Sequence, residues 1–194
     1  MFSLFRKAIH EPIDLQRQDL LHYPAHFPAE ILAGDDCDQV SGGHGDLGSL
    51  TNPIPVNGAF GEIKYLVKLR GKTEYALFFH RAGITSSPAT SNRVDIYEVV
   101  CLDGTQWNTL HFDMYHPRRS SIAPNDYSLT PYENKLGMDI PIGFGVNSSV
   151  ENFPFGIPGA IERVSGSDDP FARRARGWLG KAAFSRPKGK GPAK

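Results

Sequence analysis

The side chains of this 194-residue chain best equipped for chemistry crowd into one stretch, RVDIYEVVCLDGTQWNTLHFDMYHPRRS, residues 93–120. His111 titrates near neutrality and can accept or deliver a proton. Asp113, next but one, can orient that imidazole. Arg118 and Arg119 can hold a phosphate or a pentacovalent oxyanion, because a guanidinium fork matches its planar oxygens. His80 or His116 supplies a second acid-base partner. This inventory needs neither metal nor cofactor and is the kind that compact α+β ribonuclease-like toxins use. It makes a metal-independent phosphodiesterase or ribonuclease-like hydrolase one reading of the chain.

The same residues have a plainer reading, in which His, Tyr and Thr form cross-strand pairs on an exposed sheet face and Arg118 and Arg119 pair with acids. No nucleophile elbow, phosphate loop, dinucleotide fingerprint or HExxH helix occurs. Cys37 and His44, with His22 and His26 upstream, match no compact zinc spacing, so they read as turn residues. Cys37 and Cys101 are too few and too far apart for a disulfide framework.

Charge points to a second class of function. The net charge is zero, yet from Arg173 onward there are eight Lys/Arg and no acid. That leaves 13 bases against 21 acids before it, a net charge of −8. An acidic body with a basic end is an interaction signal. Asp168 or Asp169 should cap a helix that Pro170 opens and FARRARGWLGKAAF continues. At ~100° per residue, Phe171, Ala175, Trp178, Leu179 and Ala182 share one side, with Arg173, Arg174, Arg176 and Lys181 opposite. Gly177 and Gly180 would each weaken such a helix by ~1 kcal/mol, so it should form fully only against something.

That basic helix makes the leading expectation a non-enzymatic binding or assembly protein. It would dock on an acidic protein partner, with an anionic membrane surface or nucleic acid as the other partners a basic tail can engage. The residues expected to bind are Arg173, Arg174, Arg176, Trp178 and Lys181, with Tyr97, Tyr115 and Arg119 on the hairpin. The competing expectation is that this end folds back onto its own body.

The elements that position these groups follow from periodicity. Residues 58–70 read as a helix with Asn57 at its N-cap, Phe60, Ile63, Leu66 and Val67 as its buried stripe, Glu62 complementing the dipole and Gly71 ending it. In 74–81, EYALFFHR, both parities are apolar, as in a strand buried on both sides, with His80 on the side of Ala76 and Phe78. Residues 83–92 read as a polar loop.

Strands on either side of Asp103-Gly104 follow. Val94, Ile96, Val100 and Leu102, like Leu110, Phe112 and Met114, are even-numbered. If both sets line one core face, the loop holds an odd number of residues: three, with Gly104 left-handed in a G1 bulge. Asp95, Tyr97, Thr109, His111, Asp113 and Tyr115 would then share the opposite, polar face.

The expected fold is α+β. A three-stranded antiparallel meander over about 74–116 packs against the helix at 58–70, among long irregular loops rich in Gly and Pro and with an amphipathic helix at the C-terminal end. A single domain would span 1–167, and a basic helix with a disordered tail 168–194. A short helix is expected near 158–164. No run of 18 apolar residues occurs, and the first residues lack the apolar core of a secretory signal, so cytoplasmic residence is expected.

Overall fold

The apolar runs LFF at 77–79 and VVC at 99–101 lie on neighbouring antiparallel strands at the centre of a sheet covered on both faces. In the computed structural model, residues 38–116, 119–130 and 144–185 are described. Their elements are β1 (Ile54–Pro55), α1 (Gly58–Lys68), β2 (Leu69–Arg70), β3 (Leu77–Ser87), β4 (Thr90–Cys101), β5 (Trp107–Asp113), β6 (Ser128–Leu129), β7 (Phe144–Val146), α2 (Ile157–Ser165) and α3 (Pro170–Leu179).

The main sheet has the order β1-β5-β4-β3-β7, and β2 and β6 form a separate pair. β3, β4 and β5 are antiparallel neighbours, whereas β1 runs parallel to β5 and β7 parallel to β3. The α+β class therefore holds, but the three-stranded meander does not: the sheet is mixed and five-stranded. Pro55 stands in β1, an edge strand, where its missing N–H costs no ladder bond.

Each face carries its own core. Leu77, Phe79, Tyr97, Val99, Cys101, Leu110 and Phe112 meet Tyr65, Leu66 and Val67 of α1 on one side. Phe78, Val100 and Leu102 meet Ile157, Ala160 and Ile161 of α2 and Ala172 and Ala175 of α3 on the other. Full burial of a Phe or Val side chain is worth ~1.5–3 kcal/mol, so neither cover is optional. Cys101 is buried on the α1 side, where lost hydration pushes its thiol up to about 11.

Several local expectations change. β3 continues to Ser87 and β4 begins at Thr90, so 83–92 is a long hairpin rather than a polar loop. The Ser87 hydroxyl donates to Leu50 O at 2.6 Å, and Gly42 packs on Ala89, fastening the hairpin tip to the 38–52 segment. α1 stops at Lys68, because Leu69 turns extended and joins β6 before Gly71 is reached. Asn57 precedes it but makes no side-chain cap hydrogen bond.

The β4–β5 hairpin also departs from the parity argument. Ile96 opposes His111 and Tyr97 opposes Leu110, so even numbers pair with odd ones. The Cys101 N–H donates to Gln106 O and that of Gly104 to Cys101 O, which closes a four-residue loop, 102–105. Gly104 is left-handed as expected, at φ 76. The assumption that failed was a single buried face: because both faces are covered, Tyr97, Val99 and Cys101 are core just as Val94, Val100 and Leu102 are.

α3 begins where the sequence places it but ends at Leu179, before the GKAAF expected to continue it. The Asp169 carboxylate accepts from Phe171 N at 2.7 Å and Ala172 N at 3.2 Å, and Pro170 opens the helix. Its apolar side lies on the sheet of its own chain. Trp178 meets Tyr75 with ring centroids 5.5 Å apart, and Phe184 beyond it meets Phe78 at 5.8 Å. The helix expected near 158–164 is α2.

Candidate functional site

The register divides the polar side chains expected on one face. Asp95 and Tyr97 turn towards α1, and His111 and Asp113 turn towards the opposite side. Three polar centres result.

The first lies beneath α1. Glu62, Tyr65, Leu66 and Leu69 follow the i, i+3, i+4, i+7 spacing of the true inner stripe, which brings Glu62 to zero exposure. Phe60 and Ile63, expected in that stripe, are only half-buried. The Tyr97 hydroxyl lies 2.9 Å from Glu62 Oε2 and 2.7 Å from Asn147 Oδ1. Arg81 Nη2 donates to Asp95 Oδ1 at 2.6 Å. Glu62 Oε1 is buried without a donor, while the Asp95 carboxyl lies in hydrogen-bond reach of Glu62.

A proton on Glu62 resolves that mismatch, because the neutral acid donates where a carboxylate could only accept. Burial above all, then the Asp95 charge and its hydrogen bond, push the Glu62 carboxyl up to about 9. Arg81 is raised by its hydrogen bond to Asp95. Two carboxyls are thus set apart, one neutral and one ion-paired, a division of labour that acid-base sites use. Tyr97, raised first by burial and then by Glu62, stays a phenol. Sequence reasoning missed Glu62 because a Glu in a first helical turn scores as a solvated dipole partner. The available signal was its spacing to Tyr65, Leu66 and Leu69.

The second centre is Asp113, fully buried at the end of β5. Asn92 Nδ2 lies 3.1 Å from each of its oxygens, Tyr115 N donates to Oδ1 at 3.1 Å, and His116 Nε2 lies 3.2 Å from Oδ2. Burial opposes its charge, but the nearby His116 imidazole together with the Tyr115 and Thr90 hydrogen bonds outweighs burial and holds the carboxyl below its ordinary value. Asp113 therefore orients His116, not His111.

His111 instead pins the loop beside it: its N–H and its Nδ1 both meet Gly48 O, at 2.9 and 3.1 Å. Partial burial lowers the His111 imidazole below its ordinary value. Tyr115 is half-buried and bridges Asn57. Arg118 lies outside the described residues. Arg119 is half-buried, and with Lys64 it adds to the burial that lowers Lys68.

The third centre is His80 with Glu98. Val150 N donates to His80 Nδ1 at 3.0 Å, so the ring proton sits on Nε2, which faces Glu98 Oε2 at 3.3 Å. Trp107 Nε1 donates to Glu98 Oε1 at 2.6 Å, and Phe153 stacks on the imidazole at 4.3 Å. Both ring nitrogens are engaged inside the fold, so His80 has no free nitrogen for a substrate.

The basic face of α3 completes the inventory. Arg173, Arg174, Arg176 and Lys181 are exposed, and Trp178 is half-buried against the body. Arg176 Nη2 donates to Glu162 Oε2 at 2.6 Å, and Lys181 sits 5.8 Å from the Trp178 ring. Among the described residues, no group of three or more His, Cys, Asp or Glu is placed to hold a metal ion, and no helix is long and apolar enough to cross a membrane. Of the residues weighed for zinc, His44 is exposed, and Cys37, His22 and His26 lie outside the described residues.

No family model matches the chain, and neither a curated protein nor a solved structure matches it.

Proposed function

We propose that the protein is a non-enzymatic binding protein that docks an acidic protein partner on the outer side of α3. The observation that carries this reading is the orientation of α3. Ala172 and Ala175 are buried in the second core, while Arg173, Arg174 and Lys181 are exposed, as is Arg163 of α2. Basic residues 186–194 follow in sequence. A cationic helix fixed by its own core presents its charges at little further cost in order, which favours a preorganised electrostatic interface.

Membrane insertion fits less well, because the apolar side that would enter lipid is covered by the sheet. Nucleic acid fits less well because the rest of the chain is acidic. The test is charge reversal, not truncation, since deleting α3 would uncover the second core. The triple variant Arg173→Glu, Arg174→Glu, Lys181→Glu should keep the thermal midpoint and lose salt-sensitive binding to a poly-glutamate peptide. Binding that survives the reversal, or none by the unaltered protein, rejects the reading.

One observation favours a second reading, a metal-independent phosphodiesterase or ribonuclease-like hydrolase. The Asp113–His116 contact at 3.2 Å sets a buried carboxylate against an imidazole, the two group types that general acid-base chemistry pairs. Turnover of a dinucleotide substrate, abolished in His116→Ala at unchanged stability, would support it. An inert native protein would remove it.

A further inference from the structure

The cations on the outer side of α3 are not equivalent. Arg176 is already engaged, its Nη2 donating to Glu162 Oε2 at 2.6 Å. Lys181, just past the helix, rests 5.8 Å from the Trp178 ring, but an ammonium on a flexible stem is a point charge without a fork. Arg173 is exposed and forms no ion pair among the described residues, so nothing there orients it. Arg174 differs from all of these. Its guanidinium carbon lies over two rings at once, 6.0 Å from the centroid of Phe144 and 6.0 Å from that of Phe171.

Those rings are themselves held. Phe171 stands in the first turn of α3, one helical turn before Arg174 and so on the same side. Phe144 opens β7 and is paired in register with Phe78 of β3. The Phe144 ring meets the fully buried Phe78 ring at 5.8 Å and the Phe171 ring at 6.4 Å. Both outer rings are half-buried against the second core. Contacts therefore run without a break from the core through Phe144 and Phe171 to an exposed guanidinium. A cation over a ring uses the ring face, whereas guanidinium N–H donors lie in the plane of their own group. Those of Arg174 make no hydrogen bond to any described residue.

We propose that Arg174 is the specificity-determining residue of the α3 surface, its fork receiving one side-chain carboxylate of the acidic partner in a bidentate pair. Phe144 and Phe171 are its positioning residues. This rests on the reading of α3 as a docking surface and adds which cation is recognised by shape as well as by charge. A guanidinium already held over two rings loses less freedom on binding than one on an unsupported side chain. Bidentate pairing also needs a planar fork, so a lysine in its place keeps the charge and loses the fit.

The test uses the full chain and a poly-glutamate peptide, titrated calorimetrically across a salt series. Arg174→Lys and Arg173→Lys both preserve charge at exposed sites, so the thermal midpoint and the salt slope should stay native in each. Arg174→Lys should nevertheless weaken binding roughly fivefold more than Arg173→Lys does, because only the first removes a held fork. Phe171→Leu removes a ring and no charge. It should weaken binding in the native background and change little in the Arg174→Lys background, since the ring acts through the guanidinium. Phe144→Leu repeats that comparison from the other ring if Phe171→Leu lowers the thermal midpoint. Equal losses in the two lysine variants, or ring effects as large without Arg174 as with it, overturn the proposal and leave the electrostatic reading of α3 standing. A native chain that does not bind the peptide at all rejects both.

Discussion

Glu62 of α1 is hydrogen-bonded to Asp95 of β4, and Asp95 is ion-paired with Arg81 at 2.6 Å. α1, β4 and β3 are thereby tied by side-chain contacts that depend on a proton held by Glu62. The sign of its pH effect follows from which state holds that proton. Between the ordinary value near 4.5 and about 9, the folded chain keeps a proton that the unfolded chain has released. The contribution of Glu62 is therefore full below the lower value and is lost as pH rises towards the upper one. Glu62→Gln, which cannot ionise, should flatten that slope. At pH 9 its thermal midpoint should exceed that of the native protein by at least ~3 °C, the shift that 1 kcal/mol produces in a chain of this size. Melting curves from pH 5 to 9.5 on both proteins measure it; parallel curves would count against a proton held by Glu62.

Asp113 predicts the opposite dependence. Its carboxyl is held below the ordinary value, so its contribution is present above the unfolded value and is lost as pH falls through the folded one. Asp113→Asn should remove that part of the acid sensitivity and cost ~1–3 kcal/mol at neutral pH, because Asn92, Tyr115 and His116 all point at the site. Urea denaturation at pH 7 and pH 3 distinguishes the two effects, and an unchanged acid limb would contradict the assignment.

Glu98 predicts a structural role for His80. Glu98→Ala leaves both Trp107 Nε1 and His80 Nε2 facing the emptied position. A loss of ~1–3 kcal/mol is expected, readable by urea denaturation together with a change in Trp107 fluorescence. A neutral outcome would free His80 for another role.

Gly104 predicts a double penalty. It is left-handed, and a Cβ there would come within 2.5 Å of the Ala183 carbonyl oxygen. Gly104→Ala should cost at least the ~1–2 kcal/mol of the left-handed backbone and loosen the segment after α3. Measured stability and proteolysis near 180–185 report the two parts separately.

How far the sequence could be read depended on whether the deciding contacts were local. The Asp169 cap and Pro170 start of α3 are set within a few residues and formed as read, whereas the helix ends at Leu179 and does not run on to Phe184. The doubly buried strand was legible at 77–80 because both parities are apolar, although 74–76 lie outside it, with Glu74 left-handed and Tyr75 exposed. The 83–92 hairpin was not, since a polar strand lacking apolar alternation reads as loop until neighbours supply its ladder. The β4–β5 register was misassigned because alternation cannot say whether the second face is buried too.

By itself, then, the sequence determined the α+β class, the helix starts, the left-handed Gly104 and the charge asymmetry, all consequences of backbone preference, spacing and composition. Only the tertiary structure decided which polar groups meet. Glu62 and Asp95 lie 33 positions apart, and Asp113 meets His116, three residues on past the end of β5, while His111, on the same side of the strand, is held by Gly48 O. The same assembly ends β7 at Val146, so that among the described residues β3 is paired on both sides only from Phe78 to His80, since a strand's partners are fixed by the packing of the whole chain and not by its own residues.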